Sequence, residues 1–461
     1  MKRSLQIWLG LLSIFFVLFP YVPSASAEPL QEVRELVRDY YVDEVPASVL
    51  EKKSVKELVR QLDLYSEYMS AKEYKAFIDE IESRFVGIGV VLEPDDKGVR
   101  VASLIPGGPA ERAGIQPGDV ITHVDGRSIT GKSVEGAVSV ISGAEKTSVT
   151  ITAERVGQAK PFTIKLVREA INLPNVEYEM LGGEIGYVRL NSFATESAKG
   201  IDRAIRALPG AKGWIFDLRD NGGGYISSAQ EVTGFFPKAN QAFQLRERNM
   251  EPELVKTIRQ PRQFTGSVHM LINTFSASAS EMVAAAVKEQ QAATIYGQPS
   301  YGKGTMQSLF EFKDGSALKL TTARFYSPGG RSIDQVGVKP HVLTAGGAEL
   351  ATSHRDQLLA TLKGYQSHGK LKNVPKDKTF TVEMTKSMNW KAFPASGLQL
   401  FELGGKEKAV SYQVVDDKTV TVIPKEALRS GKAYLLVIHP VGKDLQNRQM
   451  KKGIYVEVTV K

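Results

Sequence analysis

The sequence predicts a multidomain α+β protein: a helical amino-terminal region, a compact β-rich module, an alternating α/β core and a carboxyl-terminal β-sandwich. Three observations carry this. At 461 residues the chain exceeds the roughly 250–300 residues at which a single hydrophobic core stops growing. Apolar residues fall at helical spacing near the start, alternate between strand-like and helical runs in the middle, and recur as short strands at the end. With 42% apolar and 24% charged residues, the composition is that of a soluble globular protein rather than a disordered or repetitive one.

Charge and the amino terminus set further bounds. The 59 basic and 51 acidic residues leave a formal charge of +8, enough for a weak attraction to anionic surfaces such as a membrane or cell wall. No dense basic patch carries interleaved aromatics, which argues against nucleic acid. Residues 1–27 read as an export signal: Lys2-Arg3, an apolar run from Ile7 to Val22 broken by Pro20, then Ala25-Ser26-Ala27 as a small-residue cleavage site. The run is shorter than the ~20 residues of a spanning helix, so cleavage is expected, with an uncleaved anchor as the alternative. The expected location is therefore outside the cytoplasm, secreted or held at a bacterial envelope. With no cysteine, stability must come from apolar cores rather than disulfides.

In order, residues 28–84 read as two or more helices with a turn near Val45-Pro46, carrying Val33, Leu36, Val37 and Tyr40, then Val55, Leu58, Val59 and Leu62. Residues 85–170 contain Gly87-Ile88-Gly89-Val90, Ile105-Pro106-Gly107-Gly108-Pro109-Ala110, Ala113 to Ile121 and Val124-Asp125-Gly126. These runs resemble a PDZ domain. The resemblance implies that the N–H groups of Gly87, Ile88, Gly89 and Val90 capture a chain-terminal carboxylate, that a peptide adds as a strand along Val90-Val91-Leu92, and that Val134, Val138 and Ile141, at helical spacing, line the groove. Residues 171–345 alternate strand-like Ile185 to Leu190 and Gly213 to Leu218 with helical Ser197 to Leu208, as an α/β sheet with crossovers does. Residues 346–370 read as a linker with a helix from Asp356 to Tyr365 and a solvated lysine-rich stretch. Residues 371–461, with strands such as Thr419 to Ile423 and Ala433 to Ile438, read as an immunoglobulin-like β-sandwich.

The chemistry concentrates between His269 and Gln307. His269 to Asn273 has strand character and a helix follows from Ser280, so Ser278 falls in a strand-to-helix turn beside unpaired helix N–H groups. Ser276 and Ser280 are the alternatives within the run. Serine needs a base, and the six histidines are scattered; lysine is the other choice. Lys303 lies between Gly302 and Gly304, which give room for a substrate.

Ser-Ala-Ser-Ala-Ser-Glu ending at Glu281, with Gly302-Lys303-Gly304-Thr305-Met306-Gln307 downstream, resembles the carboxyl-terminal processing (tail-specific) proteases. The resemblance extends over roughly residues 35–343, including Asp217-Leu218-Arg219-Asp220-Asn221-Gly222-Gly223-Gly224 and Asp63-Leu64-Tyr65-Ser66-Glu67-Tyr68-Met69. It implies a nucleophile at Ser278, a base at Lys303, a base-orienting amide at Gln307, oxyanion donors at the N–H groups of Gly223 and Ala279, and structural roles for Ser276 and Ser280. It further implies protein substrates with exposed apolar tails, no cofactor, and a homodimer through the helical arms. The chain departs from the family pattern at Leu64 and Gly222, where proline is usual, and at Ser142-Gly143, where Arg-Gly often follows the groove helix.

Two other functions compete. Gly297 to Thr305 nearly spells a phosphate-binding loop, which would have to open into a helix; the strand-like Leu309-Phe310-Glu311-Phe312 follows instead. A secreted PDZ binder with an inactive core is the other.

Overall fold

The computed structural model describes residues 29–172 and 174–461; the expected export signal lies outside the described residues. Helix Leu30–Tyr40 places Val33 and Val37 one turn apart, and both are fully buried. With Val55 and Leu58 they pack on Phe312, Leu318 and Leu320, which belong to the core. Strand Glu67–Met69 then pairs antiparallel with strand Ala317–Tyr326. The amino-terminal region is thus sewn into the core, and its apolar face is spent within its own chain. Helix Ala71–Ile81 begins with a capping box in which the Ser70 N–H donates to Glu73 Oε2 at 2.8 Å.

The second unit is a sheet whose neighbour order is Val90–Asp95, Gly98–Leu104, Val120–Val124, Ser148–Glu154 and Phe162–Val167. Val90–Asp95 lies at an open edge, as strand addition requires. Helix Val134–Ile141 covers a core of Ile88, Val99, Val101, Ile121 and Val149. Strands Arg84–Gly87 and Glu169–Asn172 pair at the root of the unit. Where the sequence lacks an arginine after the groove helix, another arrives from elsewhere: Arg168 donates to the carbonyls of Ile141 (2.7 Å) and Val140 (3.2 Å). Its cation sits on the negative end of that helix. A Cβ on Gly143 would stand 2.9 Å from Arg168 Nε, so the guanidinium occupies the space the glycine leaves.

The core has two sheets. Strands Ile185–Leu190, Gly213–Asp217, Ser267–Ile272, Thr294–Gly297 and Val342–Leu343 run parallel, with Val176–Leu181 antiparallel at one edge. Every residue of Gly213–Asp217 is buried, as expected of a central parallel strand. The second sheet joins Thr305–Glu311, Ala317–Tyr326, Gln241–Glu247 and Glu253–Lys256 to Glu67–Met69. The glycine loop leaves the carboxyl end of Gly213–Asp217, and Ser278 follows the carboxyl end of its neighbour Ser267–Ile272, the usual ligand-binding end of such sheets.

The region read as a linker packs against both the core and the last unit. Its helix runs Glu349–Thr361, earlier than the Asp356–Tyr365 expected, because its start is held by tertiary contacts the local pattern does not encode. Arg219 Nη1 meets Glu349 Oε2 at 2.9 Å while Arg219 Nη2 meets the fully buried Asp217 at 2.6 Å. Leu358 and Leu362 pack on Phe401, Leu435 and Val437 of the last unit. Strand Gln366–Val374 likewise begins within the expected linker, pairing in parallel with Ile454–Val460. Two sheets, one of five strands and one of three, enclose Phe380, Trp390, Leu400, Val422, Tyr434 and Leu436 as a β-sandwich.

Because Asp217 and Glu349 share Arg219, Arg219→Ala leaves a buried carboxylate uncompensated and lowers stability by about 3–5 kcal/mol. Urea denaturation of the variant against wild type measures it.

Candidate active site

Three serines crowd the turn after strand Ser267–Ile272, and their surroundings separate them. Ser276 Oγ donates to the Leu218 carbonyl (2.8 Å) and accepts the Asn273 N–H (3.0 Å); Ser280 Oγ donates to the Asn221 carbonyl (2.8 Å). Both are fully buried and bind the turn around Ser278 to the glycine loop. Ser278 sits between them at φ +56°, a region that costs a non-glycine residue about 1–3 kcal/mol. That strain turns it off the strand at the start of helix Ala279–Glu289, whose first N–H groups have no intrahelical acceptor.

Glu281, one turn into that helix, is fully buried although charged. Its Oε2 accepts the N–H groups of Ser278 (2.8 Å) and Lys303 (2.9 Å); its Oε1 accepts Ser300 Oγ (2.6 Å) and the Gly302 N–H (2.7 Å). One oxygen therefore joins the backbones of Ser278 and Lys303. Burial pushes this carboxyl above its usual range, opposed by the four donors. Since all four partners donate, the ionised form is the one that satisfies them.

The loop Ser300–Gly304 presents Lys303. Gly302 takes φ +93°, and a Cβ on Gly304 would lie 2.5 Å from the Asp334 Cβ, so both flanking glycines are required. The half-buried Lys303 Nζ donates to Gln307 Oε1 at 2.5 Å and to the Thr305 carbonyl at 3.0 Å, and lies 5.0 Å above the Tyr65 ring. Burial pulls the amine down to about 8, with the Lys319 ammonium pushing the same way; Glu281, Asp63 and Asp334 pull it back up. Strand Thr305–Glu311 follows directly, so there is no helix to complete a phosphate cradle. Histidine is engaged elsewhere: His269 Nδ1 contacts Ser353 Oγ, His354 Nε2 the Gly182 carbonyl, and His341 Nδ1 the Ile295 N–H.

Gly223 lies against Ser278: at φ +112° its missing Cβ would be 2.9 Å from Ser278 Cβ and 3.2 Å from the Ala279 nitrogen. The two residues expected to supply oxyanion donors thus lie side by side next to Ser278. The Gly223 N–H, however, donates to Asn221 Oδ1 at 2.9 Å and is occupied in this conformation. In the PDZ-like unit, Gly89 takes φ +77° and Val138 is 43% exposed, whereas Ile88 and Ile141 are packed in that unit's core and Val134 is half-buried against it. Glu281 had no assigned role in the sequence beyond opening the helix. Its signal was an acidic residue in the first turn of an otherwise apolar, alanine-rich helix.

Residues 184–344 match peptidase family S41, and residues 100–155 match a PDZ domain. A protein of Staphylococcus aureus (strain bovine RF122 / ET3-1) described as a CtpA-like serine protease is 33% identical over 325 residues, 69% of this chain and 64% of the relative. One of the same description from Staphylococcus haemolyticus is 35% identical over 312 residues, 67% of this chain and 62% of the relative. The chain thus spans under two thirds of these relatives' length. Among solved structures, a photosystem II D1 C-terminal processing protease is 24% identical, with a TM-score of 0.46 over 69% of this chain and 93% of that one.

Gly223→Ala puts a methyl group into Ser278 at a φ that alanine resists, and lowers any Ser278-dependent turnover by about 100-fold or more; rates on the folded variant check this. Lys303→Met tests the buried amine through stability. An amine held near 8 in the fold, against 10.5 when free, penalises the native state below pH 8, and the penalty fades as pH rises from 8 to 10.5. Lys303→Met therefore gains relative to wild type at pH 7, and the difference between the two shrinks by about 3 kcal/mol by pH 10.5, measured by urea titrations at both pH values.

Proposed function

The chain belongs to peptidase family S41 through residues 184–344, with a PDZ domain ahead of that region, and on that footing we propose that it is a serine endopeptidase that cuts exported proteins near their carboxyl-terminal tails. Ser278 is the nucleophile, Lys303 the general base and Gln307 the amide that orients the base. The observation that carries this reading is the lysine amine, drawn down to about 8 and bonded to an uncharged amide. A carboxylate in place of Gln307 would hold the proton on; the amide leaves it removable near neutral pH.

A tail adds along the open edge of Val90–Asp95, its carboxylate taken by the Gly87–Val90 loop and its apolar end by the groove beside Val134 and Val138. Ser278 Oγ attacks an upstream peptide carbonyl as Lys303 takes its proton. Negative charge develops on the carbonyl oxygen, facing the Ala279 N–H and, once Asn221 releases it, the Gly223 N–H. The Lys303 ammonium then protonates the leaving amine, and an acyl-enzyme remains on Ser278. Water, deprotonated by Lys303, releases the second product. The scheme calls on no metal or nucleotide. The enzyme acts outside the cytoplasm, in keeping with the signal-like residues 1–27 and a weak attraction to envelope polyanions. A homodimer through the amino-terminal helices would use their outer faces, since Val33 and Val37 are taken up within the chain.

The test is cleavage of an unfolded protein bearing an apolar tail, by the chain from residue 28 onward and by its Ser278→Ala and Lys303→Ala variants. Wild type cuts, faster as pH rises through about 8, and both folded variants lose about 1,000-fold or more. Activity surviving in Ser278→Ala overturns the mechanism. The Gly223 to Asn221 bond favours one second reading, a resting form that a bound tail assembles. Tail binding without turnover by all three proteins would instead leave a peptide binder.

A further inference from the structure

Lys303 serves as a base only while its lone pair is free, and Gln307 can either spare that pair or occupy it. With Oε1 toward the amine, Gln307 accepts one of the amine's own N–H bonds. Turned over, its NH2 would donate into the lone pair meant for the serine proton. The two orientations of an amide have nearly the same shape, so hydrogen-bond partners on the far side must choose. There Gln307 Nε2 donates to Thr305 Oγ1 and Thr321 Oγ1, both at 3.1 Å. A hydroxyl can donate or accept. Thr321 is committed, because its proton goes to Asp63 Oδ1 at 3.1 Å, and a carboxylate can only accept.

We infer that the Asp63–Ser66 turn is part of the machinery that positions the base: Asp63 makes Thr321 an acceptor, Thr321 holds the Gln307 amide, and the amide leaves the Lys303 lone pair to Ser278. This rests on the serine–lysine reading above and adds to it a contribution from the amino-terminal region. The turn is built for the task. Asp63 Oδ1 also accepts the N–H groups of Tyr65 (2.6 Å) and Ser66 (3.0 Å), and Asp63 Oδ2 accepts Ser66 Oγ (2.6 Å). Ser66 Oγ in turn accepts the Thr321 N–H at 3.0 Å, and Thr321 is 1% exposed. On the strands, Gln307 stands directly opposite Thr321 because the register shifts between Met306 and Gln307, a bulge that aims a side chain at a site. Leu64, the departure from the family pattern, points into solvent at 97% exposure and leaves the turn undisturbed.

The groups facing Lys303 are Lys319 from the adjacent strand, Glu281 from helix Ala279–Glu289, Asp334 from the loop after strand Ala317–Tyr326, and Asp63 and the Tyr65 ring from the amino-terminal turn. Asp63's charge alone would hold the proton on Lys303 and slow the reaction at neutral pH. Charge and positioning therefore make opposite predictions, and substitutions separate them.

The experiment uses the full chain, following pH profiles of kcat and KM on the tailed substrate together with labelling of Ser278 by a fluorophosphonate. Thr321→Val and Asp63→Ala are expected to lower kcat and labelling rate by about 10-fold or more at every pH, with KM little changed. Thr321→Ser, which returns the hydroxyl, restores most of the rate. Asp63→Asn keeps an acceptor oxygen but no charge, so it works at high pH and its profile moves to lower pH. If Thr321→Val does not fold, Thr321→Ala removes the same hydroxyl and takes its place. Wild-type kcat in Thr321→Val and Asp63→Ala overturns the inference while leaving the protease reading intact, and so does a loss that Thr321→Ser fails to recover. A wild type that neither cuts nor labels overturns both.

Discussion

A single buried carboxylate holds the candidate site together. Glu281 lies on helix Ala279–Glu289 and takes donors from Ser278 and from the loop that presents Lys303. Desolvating a carboxylate costs several kcal/mol unless hydrogen bonds replace the lost water. Four do so here, and each binds a backbone or hydroxyl that must be placed accurately. Its charge still pulls the Lys303 amine upward, against the burial that lowers it. Its acceptors are taken by main-chain N–H groups and Ser300, so the amine is hydrogen-bonded to the neutral amide of Gln307 instead.

Around that clip the protein uses two sheets for two tasks. The parallel sheet delivers Ser278 and the glycine loop from the carboxyl ends of neighbouring strands, where unpaired backbone groups and helix N-termini gather. The antiparallel sheet delivers the lysine side: Lys303 precedes strand Thr305–Glu311, Gln307 lies on it, and Thr321 lies opposite. The amino-terminal strand Glu67–Met69 pairs with the far edge of the same hairpin, and Val33, Val37 and Leu58 share a core with Leu318 and Leu320. Undocking the amino-terminal region would thus expose the back of the base.

On the glycine-loop side the backbone is hydrogen-bonded internally. Asn221, fully buried, donates to the Leu190 carbonyl and accepts the Gly223 N–H. The Gly223 N–H is therefore taken up within the loop, while Ala279 opens the neighbouring helix. A loop of three successive glycines is the kind of segment that can turn a peptide at small cost.

Much of this was legible in the sequence. The order of units, the strand before and helix after Ser278, the glycines around Lys303 and the PDZ-like turns all follow from local spacing and turn chemistry, which short segments encode by themselves. Where local signals compete with distant contacts the reading slipped: helix Glu349–Thr361 starts early because Glu349 is held by Arg219, and the side chain of Ile141, read as lining the groove, packs in that unit's core. What only the tertiary structure decided was which serines carry buried hydrogen bonds to the glycine loop, that burial lowers the lysine, which carboxylate joins the segments of Ser278 and Lys303, and that Asp63, Thr321 and Gln307 form one hydrogen-bonded chain. Each depends on burial or on donors brought together from segments far apart in the chain. A one-dimensional pattern names the chemical groups; their protonation and orientation belong to the surroundings that folding builds.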